Sequence, residues 1–489
     1  MPMDDKRRKP IKVENIDALA PDQPLYVSRP RIHPKRILGT FRSLKWSIMA
    51  VLLGFYYGLP WLRWDRGPGM PNQAFLADIS GSRLFVLDVE IWPQEIYYLT
   101  GLLVLGAVGL FFVTSLFGRL WCGFSCPQTV WTDLFMLVER YIEGDRNKRI
   151  KLDSQPYNFD KLWRRTVKHA VWLLISAATG GAWIMYFVDA PTLSVEFFTG
   201  QSSLTIYALC GVFASTTYLL GGLAREQVCL YMCPWPRFQG AMFDEHTLLV
   251  TYEDWRGEPR GKPRSKELSS QGDCVDCDLC VNVCPTGIDI RDGQQMQCIG
   301  CALCVDACNS VMAKLDRPGD LIRYDSISNM VGRAEGKPTK FEFVRLRTVA
   351  YAMILVVVMT AMVYGLYTRA NVEINLQRDR APLFVQLSDG DIRNGYTLKV
   401  LNMERHDRTF RLRLTGVDGA YISVIGVEHD GAVSVELPVK GDTVGTFRVL
   451  VRTPAGNLLT ESTDMKFVLT DLETGDDAWQ DTFFYGPEK

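Results

Sequence analysis

Eight of the thirteen cysteines form two runs, Cys274, Cys277, Cys280, Cys284 and Cys298, Cys301, Cys304, Cys308, each spaced C-x2-C-x2-C-x3-C. This is the ligand spacing of bacterial two-cluster ferredoxins. Three closely spaced thiolates can cap three corners of one [4Fe–4S] cube. The fourth cysteine of each run lies too far along to close the same cube and reaches the other one. The spacing therefore predicts Cys274, Cys277, Cys280 and Cys308 on one cluster, and Cys298, Cys301, Cys304 and Cys284 on the second. Pro285 follows Cys284 as the pattern expects, whereas Asn309 after Cys308 departs from it. Structural zinc sites, the competing use of such cysteines, usually pair short C-x2-C knuckles across longer intervals.

Four further cysteines form a repeated motif, Trp121-Cys122-Gly123-Phe124-Ser125-Cys126-Pro127 and Val228-Cys229-Leu230-Tyr231-Met232-Cys233-Pro234. Each copy follows an apolar segment, so the chain up to Pro234 reads as a two-unit internal repeat. Proline after the second cysteine fits the first turn of a new helix. There the helix dipole and Arg119 or Arg225 are expected to lower the thiol pKa values. Two such turns facing each other present four sulfurs, enough to hold iron, an iron–sulfur unit, or copper in transit. Cys122, Cys126, Cys229 and Cys233 are thus the candidate catalytic and metal-holding thiols. The alternative use of a free cysteine is as a small buried hydrophobe, which is how Cys210, alone in an apolar stretch, is read.

The elements that must position these thiols are mostly membrane helices. The 489 residues are 47% hydrophobic with a net charge of −1, an average over apolar and water-soluble parts. Spans of about 20 residues or more are predicted at 37–62, 95–117, 167–188, 204–223 and 346–367. Arg42 and Lys45, near the start of the first, are expected to snorkel to headgroups. A polar, basic beginning (Lys6, Arg7, Arg8, Lys9) with no apolar stretch directly behind it argues against a cleaved signal peptide. Arg29, Arg31, Lys35 and Arg36 precede the first span, and the loop between the second and third is rich in Lys and Arg, while 189–203 has neither. The positive-inside rule then places the N-terminus and both cysteine runs in the cytoplasm, and the final third outside, in the periplasm of a Gram-negative cell. Since all cysteines lie between Cys122 and Cys308, the exported part folds without disulfides.

The expected organisation is a basic cytoplasmic segment (1–36), a transmembrane domain with four spans and both C-x3-C-P turns (37–250), a cytoplasmic 2[4Fe–4S] ferredoxin-like domain (251–344), a fifth helix (345–371) and a periplasmic β domain (372–489). Val130, Trp131, Leu134, Phe135, Leu137, Val138, Tyr141 and Ile142 recur at helical spacing, predicting an amphipathic helix at the cytoplasmic interface or packed on the ferredoxin insert. Beyond Val372, stretches at Tyr396–Leu401, Thr409–Leu414, Val433–Val439, Gly445–Arg452 and Asp464–Leu469 alternate with turns at Asp389-Gly390, Asp418-Gly419, Asp430-Gly431 and Ala455-Gly456. That rhythm predicts an immunoglobulin-like antiparallel β-sandwich with nothing catalytic in it, His406 and His429 being surface residues. Five histidines and no C-x-x-C-H disfavour haem. No G-x-G-x-x-G after a strand suggests flavin or nicotinamide, so electrons come from another protein or a quinol. The basic residues lie beside spans, where topology and anionic lipid account for them, and no nucleic acid partner is expected.

With the two C-x3-C-P turns, the double ferredoxin run, Cys308-Asn309-Ser310-Val311-Met312, Leu321-Ile322-Arg323-Tyr324-Asp325-Ser326 and Arg380-Ala381-Pro382-Leu383-Phe384, the chain resembles the cytochrome c oxidase accessory protein family. These are the FixG-like membrane polyferredoxins, also called the CcoG type. The resemblance covers nearly the whole chain and implies a multi-pass protein of the bacterial inner membrane. It further implies a role in assembling cbb3-type cytochrome oxidase by reducing Cu(II) to Cu(I), with copper and oxidase assembly factors or a copper chaperone as partners. Soft thiolates prefer Cu(I), and iron–sulfur carriers match a one-electron reduction. Two other functions share these features. One is an electron-transfer subunit that exchanges electrons with quinone; the other is a non-enzymatic redox sensor that scaffolds assembly.

Overall fold

The computed structural model describes residues 31–67, 69–261, 271–369, 372–427, 432–457 and 461–487. The basic residues Lys6, Arg7, Arg8, Lys9 and Arg29, His429 and the expected Asp430-Gly431 turn lie outside them. The chain divides into two compact units that meet between Met362 and Val363.

The first unit holds both cysteine sets. Its helices are α1 (Thr40–Gly58), α2 (Tyr97–Phe117), α3 (Pro127–Glu143), α4 (Arg146–Ser154), α5 (Phe159–Ile184), α6 (Ala190–Thr199), α7 (Leu204–Thr217), α8 (Trp235–Met242), α9 (Asp254–Gly257), α10 (Leu279–Val283), α11 (Leu303–Lys314), α12 (Ile327–Ala334) and α13 (Leu346–Tyr367). Among the described residues three helical stretches are long and apolar enough to cross a membrane, Pro93–Phe117, Leu204–Ala224 and Leu346–Tyr367. The other two expected spans are the helices α1 and α5, whose apolar residues are interrupted by Arg42 and Lys45 and by Lys168.

Arg42 and Lys45 do not snorkel. They are 3% and 2% exposed, and both reach Asp133 on α3, Arg42 Nη1 at 3.0 Å and Lys45 Nζ at 3.5 Å. The reason is that the start of α1 docks on protein. Asp306 of α11 accepts hydrogen bonds from the Phe41 and Arg42 amides (3.2 and 2.7 Å), capping α1 from another helix. Helix α3 packs one face inside the unit, while Tyr141 on another face is exposed. Thr129, Val130, Asp133, Phe135, Met136, Glu139 and Glu143 are all buried, with the Phe135 ring 5.4 Å from Trp172 of α5. Glu139 meets Arg149 Nη1 and Arg225 Nη2, each at 2.7 Å, and Lys168 at 3.5 Å, which joins α3, α4, α5 and the chain entering the second C-x3-C-P turn.

Two short sheets lie where loops are expected. Strands β1 (Phe75–Asp78), β2 (Arg83–Val86) and β3 (Val89–Ile91) form an antiparallel sheet between α1 and α2. Strand β4 (Leu249–Tyr252) pairs antiparallel with β5 (Ile322–Asp325), so the chain entering the ferredoxin segment is tied to the chain leaving it. The expected boundary after residue 250 falls inside β4.

The second unit contains β6 (Val372–Arg378), β7 (Val385–Gln386), β8 (Ile392–Asn402), β9 (Arg408–Thr415), β10 (Tyr421–Val424), β11 (Ser434–Val439), β12 (Thr443–Thr453), β13 (Ser462–Asp471) and β14 (Asp477–Tyr485). One antiparallel sheet has the order β10-β12-β8-β6, with β7 on β8; the other is β11-β9-β13-β14. Alternation along β11 turns Val435, Leu437 and Val439 inward. The two sheets share one core, in which Tyr396 of β8 meets Phe467 of β13 edge-on at 5.2 Å. His406 is an exposed residue paired with Glu473 at 2.9 Å.

Candidate functional site: two sets of cysteines

Each ferredoxin run ends in a helix, α10 or α11, and its loop repeats one backbone pattern. The central cysteine of the first loop, Cys277, lies between Asp276 (φ 50°) and Asp278 (φ 55°), and that of the second, Cys301, between Gly300 (φ 69°) and Ala302 (φ 55°). Left-handed geometry costs a non-glycine residue roughly 1–2 kcal/mol, so three of these four positions are strained. Arg291 braces the first loop, with Nη1 2.8 Å from Asp276 and Nη2 2.7 Å from Asp278.

These loops enclose two cavities of about 350 Å³ each. One is lined by Cys274, Cys277, Cys280 and Cys308, the other by Cys284, Cys298, Cys301 and Cys304, and Cys280 lines both. The structure thus brings together each set of four that the spacing predicts, crossed fourth cysteine included. Among the described residues no three His, Cys, Asp or Glu side chains stand close enough to hold a single ion. Four thiols spread around an apolar cavity fit the corners of a [4Fe–4S] cube. Burial pushes Cys280, Cys298 and Cys308 up to about 12, so ligation must displace their protons.

The two C-x3-C-P motifs share a backbone as well as a sequence. Each is a five-residue π turn, Trp121–Ser125 or Val228–Met232, closed by an amide of the second cysteine: Cys126 N–H to Trp121 O and Cys233 N–H to Val228 O, both 2.8 Å. Ahead of them stand Gly118 (φ 56°, ψ −118°) and Arg225 (φ 44°, ψ −115°) at the same repeat position. Glycine adopts that geometry freely. Arg225 is held in it by Nε donating to Gly222 O at 2.8 Å and by its pair with Glu139.

Cys122, Cys126 and Cys229 are half-buried and Cys233 is exposed. The Cys122 thiol donates to Gln239 Oε1 of α8 at 3.3 Å, so the first turn faces the helix that follows the second. Cys126 and Cys233 both act electrostatically on Cys229, and Cys126 on Cys122, so the four thiols form one neighbourhood. The pKa values of Cys122, Cys126 and Cys229 are raised, not lowered. Burial pushes Cys122 up to about 12 and Cys229 to about 11, and raises Cys126. Arg119 offsets this only partly at Cys122, and Arg225 is turned away to Glu139. The dipole argument from sequence fails because burial outweighs it.

The two cysteine sets touch. A Cβ on Gly123, between Cys122 and Cys126, would fall 2.9 Å from the backbone of Gly300 and Ile299, beside Cys301. Cys122 itself packs with Ile299, Cys301 and Leu303. Arg119 fastens the contact: its Nη1 donates to Cys298 O at 2.9 Å and to Met296 O, and Nη2 to Pro236 O of α8 at 2.8 Å. One guanidinium therefore ties the first turn, the second ferredoxin loop and the second repeat. Sequence reasoning had assigned Arg119 to thiol activation and missed this clamp; only the glycines at 123 and 300 hinted at a close approach.

Family comparisons agree with this division. Residues 224–327 match a 4Fe-4S dicluster domain, 99–143 a 4Fe-4S binding domain, and 362–487 the IG-like fold at the C-terminal of FixG. Protein RdxB of Cereibacter sphaeroides is 47% identical over 94% of this chain and 97% of its own length. The nitrogen fixation protein FixG of Rhizobium meliloti strain 1021 is 44% identical over 97% of this chain and 96% of its own, and RdxA of C. sphaeroides 47% over 89% and 92%. The clustered thiols are those of an iron–sulfur electron-transfer protein associated with the membrane, and the chain belongs to the FixG-like family.

Proposed function

We propose that this protein carries electrons through two [4Fe–4S] clusters to the C-x3-C-P thiols, where Cu(II) is reduced to Cu(I) for assembly of a cbb3-type cytochrome oxidase. The observation that carries the reading is the contact of Gly123 with Gly300 under Arg119, which joins the second ferredoxin loop to Cys122. On this reading Cys274, Cys277, Cys280 and Cys308 hold one cluster and Cys298, Cys301, Cys304 and Cys284 the other. When bound, the clusters supply one-electron carriers.

The chain's own residues set the rest. Arg119 fixes the second loop against the first turn, and Gln239 accepts from the Cys122 thiol. Cys233, the exposed member, is where copper enters, and soft thiolate sulfur favours Cu(I). Each turnover adds one electron to one Cu(II), and binding releases thiol protons that burial had retained. The topology that accompanies this function has five spans in a bacterial inner membrane, the cysteines at the cytoplasmic side and the immunoglobulin-like β domain in the periplasm. A copper chaperone or another oxidase assembly factor receives the Cu(I).

The test is a Cu(II) titration of anaerobically purified, dithionite-reduced protein, freed of excess dithionite, with Cu(I) read by a chromophoric chelator. One Cu(I) per stored electron is expected. Clusters that stay reduced while Cu(II) remains untouched contradict the proposal.

A further inference from the structure

Helices α1, α3, α5 and α7, with the turn after α7, line an open cavity of about 440 Å³ that no step above uses. Its walls are aromatic. Tyr56 meets Trp131 edge-on at 5.2 Å, and Trp183 and Phe213 stand 5.8 Å apart. Pro127 and Gln128, the residues directly after Cys126, line it, so it lies next in sequence to a candidate thiol. Phe213, Thr216, Thr217 and Leu220 come from the apolar stretch Leu204–Ala224, which places the cavity at membrane depth.

Tyr56 Oη and Trp131 Nε1 spend their hydrogens on Thr179 O and Oγ1 (2.8 and 3.0 Å), so what the wall offers is acceptors. Gln128 uses its Nε2 on Leu220 O (2.8 Å), Arg225 O (3.0 Å) and Thr132 Oγ1 (3.2 Å), and its Oε1 has no partner among the described residues. Thr216 and Thr217 both donate their hydroxyl hydrogens to Phe213 O, at 2.9 and 2.8 Å, which leaves oxygen lone pairs. An apolar pocket with a few acceptors suits a flat aromatic ligand that carries O–H donors. A lipid tail has no use for them.

We infer that this cavity binds an isoprenoid quinol, and that the quinol is a reductant for the adjacent thiol and cluster system. The inference rests on the electron route proposed above and supplies its source. Oxidation of the quinol breaks two O–H bonds, releases both protons to water, and sends two electrons singly to the iron–sulfur clusters. With copper as acceptor the sum is QH2 + 2 Cu(II) → Q + 2 Cu(I) + 2 H⁺.

The experiment uses the full-length holoprotein in detergent, anaerobic and oxidised, mixed with a short-chain ubiquinol analogue while cluster absorbance is followed. The wild type is expected to be reduced. Thr216→Trp, which fills the cavity, should slow this reduction at least about tenfold, and Thr217→Val should raise the quinol concentration needed. Val212→Trp, on the same helix but outside the cavity wall, should match the wild type. Full bleaching of Thr216→Trp by dithionite checks that its clusters are present. Wild-type clusters that accept electrons from dithionite and none from the quinol overturn the inference, as does Thr216→Trp reduced at the wild-type rate. Cu(II) added to dithionite-reduced protein tests the copper step separately, so a failure there leaves the quinol result standing.

Discussion

The eight ferredoxin cysteines sit on two loops and the helices α10 and α11 that follow them, and the four C-x3-C-P cysteines on two tight turns, and the two sets are held in different ways. The ferredoxin set comes from one stretch, 274–308, braced locally by Arg291 and by the β4–β5 pair that joins its two ends. Its cavities are lined by these sulfurs and mostly apolar side chains. The C-x3-C-P set is drawn from two distant turns, and what aligns them is long-range: Arg119 on Cys298 O and Pro236 O, Gln128 on Arg225 O, and Glu139 on Arg225. One of its members, Cys233, is open to the surroundings. Both sets have one exposed cysteine, Cys277 and Cys233, so the contrast lies in assembly: a locally built site suits a resident cofactor, and one drawn from distant parts suits a visiting ion.

The sharpest way to break that contrast is to compare Cys301→Ser with Cys233→Ser. Cys301→Ser should lose one cube, about half of the iron and acid-labile sulfide, whereas Cys233→Ser should keep both and lose copper reduction. Equal iron loss in the two variants would make the sets alike. Next in size is Glu139→Gln, which leaves Arg149, Arg225 and Lys168 facing a neutral amide in a buried place. A loss of roughly 3–5 kcal/mol is expected by denaturant unfolding in detergent.

The same carboxylate gives a pH dependence. Burial opposes its charge, but Arg225, Arg149 and Lys168 outweigh burial and hold its pKa at about 2, below the ordinary 4.5. A depressed carboxylate stabilises fully above its unfolded pKa, and that contribution is lost as pH falls from about 4.5 to about 2. Glu139→Gln should therefore flatten the acid limb of stability against pH; an unchanged limb would remove Glu139 as its cause.

A smaller change tests the contact itself. Gly123→Ala places a methyl 2.9 Å from the Gly300 backbone and must push the turn off the ferredoxin loop. A destabilisation of about 1–3 kcal/mol is expected, with slowed copper reduction and intact cluster absorbance. Gly54→Ala, with nothing within 4 Å, is the control and should change neither. The smallest effect belongs to Cys210→Ala. This buried thiol only approaches Ala177 O at 4.0 Å, so stability should move by less than about 1.5 kcal/mol, with iron content unaltered.

Much of the ferredoxin site was legible because its geometry is local: the spacing alone dictates which fourth cysteine crosses over. The left-handed residues beside Cys277 and Cys301 were not legible, since three of the four are not glycine and only the fold imposes their φ. The repeat of the C-x3-C-P turns could be read, but Arg225 in the place of Gly118 carries no signal that it adopts the same backbone. Arg42 and Lys45 were misplaced for one reason. Charge near an apolar stretch was read against lipid, while the actual partners, Asp133 and Asp306, come from α3 and α11 far along the chain. In the second unit the five expected strands lie in β8, β9, β11, β12 and β13. The shorter β7 and β10, and β14, had too weak an alternation to be read, whereas Val372-Glu373-Ile374-Asn375-Leu376-Gln377 of β6 alternates and was legible.

The most direct test of electron passage from the ferredoxin loop into the C-x3-C-P thiols is a stopped-flow experiment. Dithionite-reduced wild type and the double variant Cys122→Ser, Cys126→Ser are each freed of excess reductant and mixed with Cu(II), and cluster reoxidation is followed by absorbance. The wild-type clusters should reoxidise as Cu(I) appears, while those of the variant, equal in iron content, stay reduced. Reoxidation of the variant at the wild-type rate would contradict the relay.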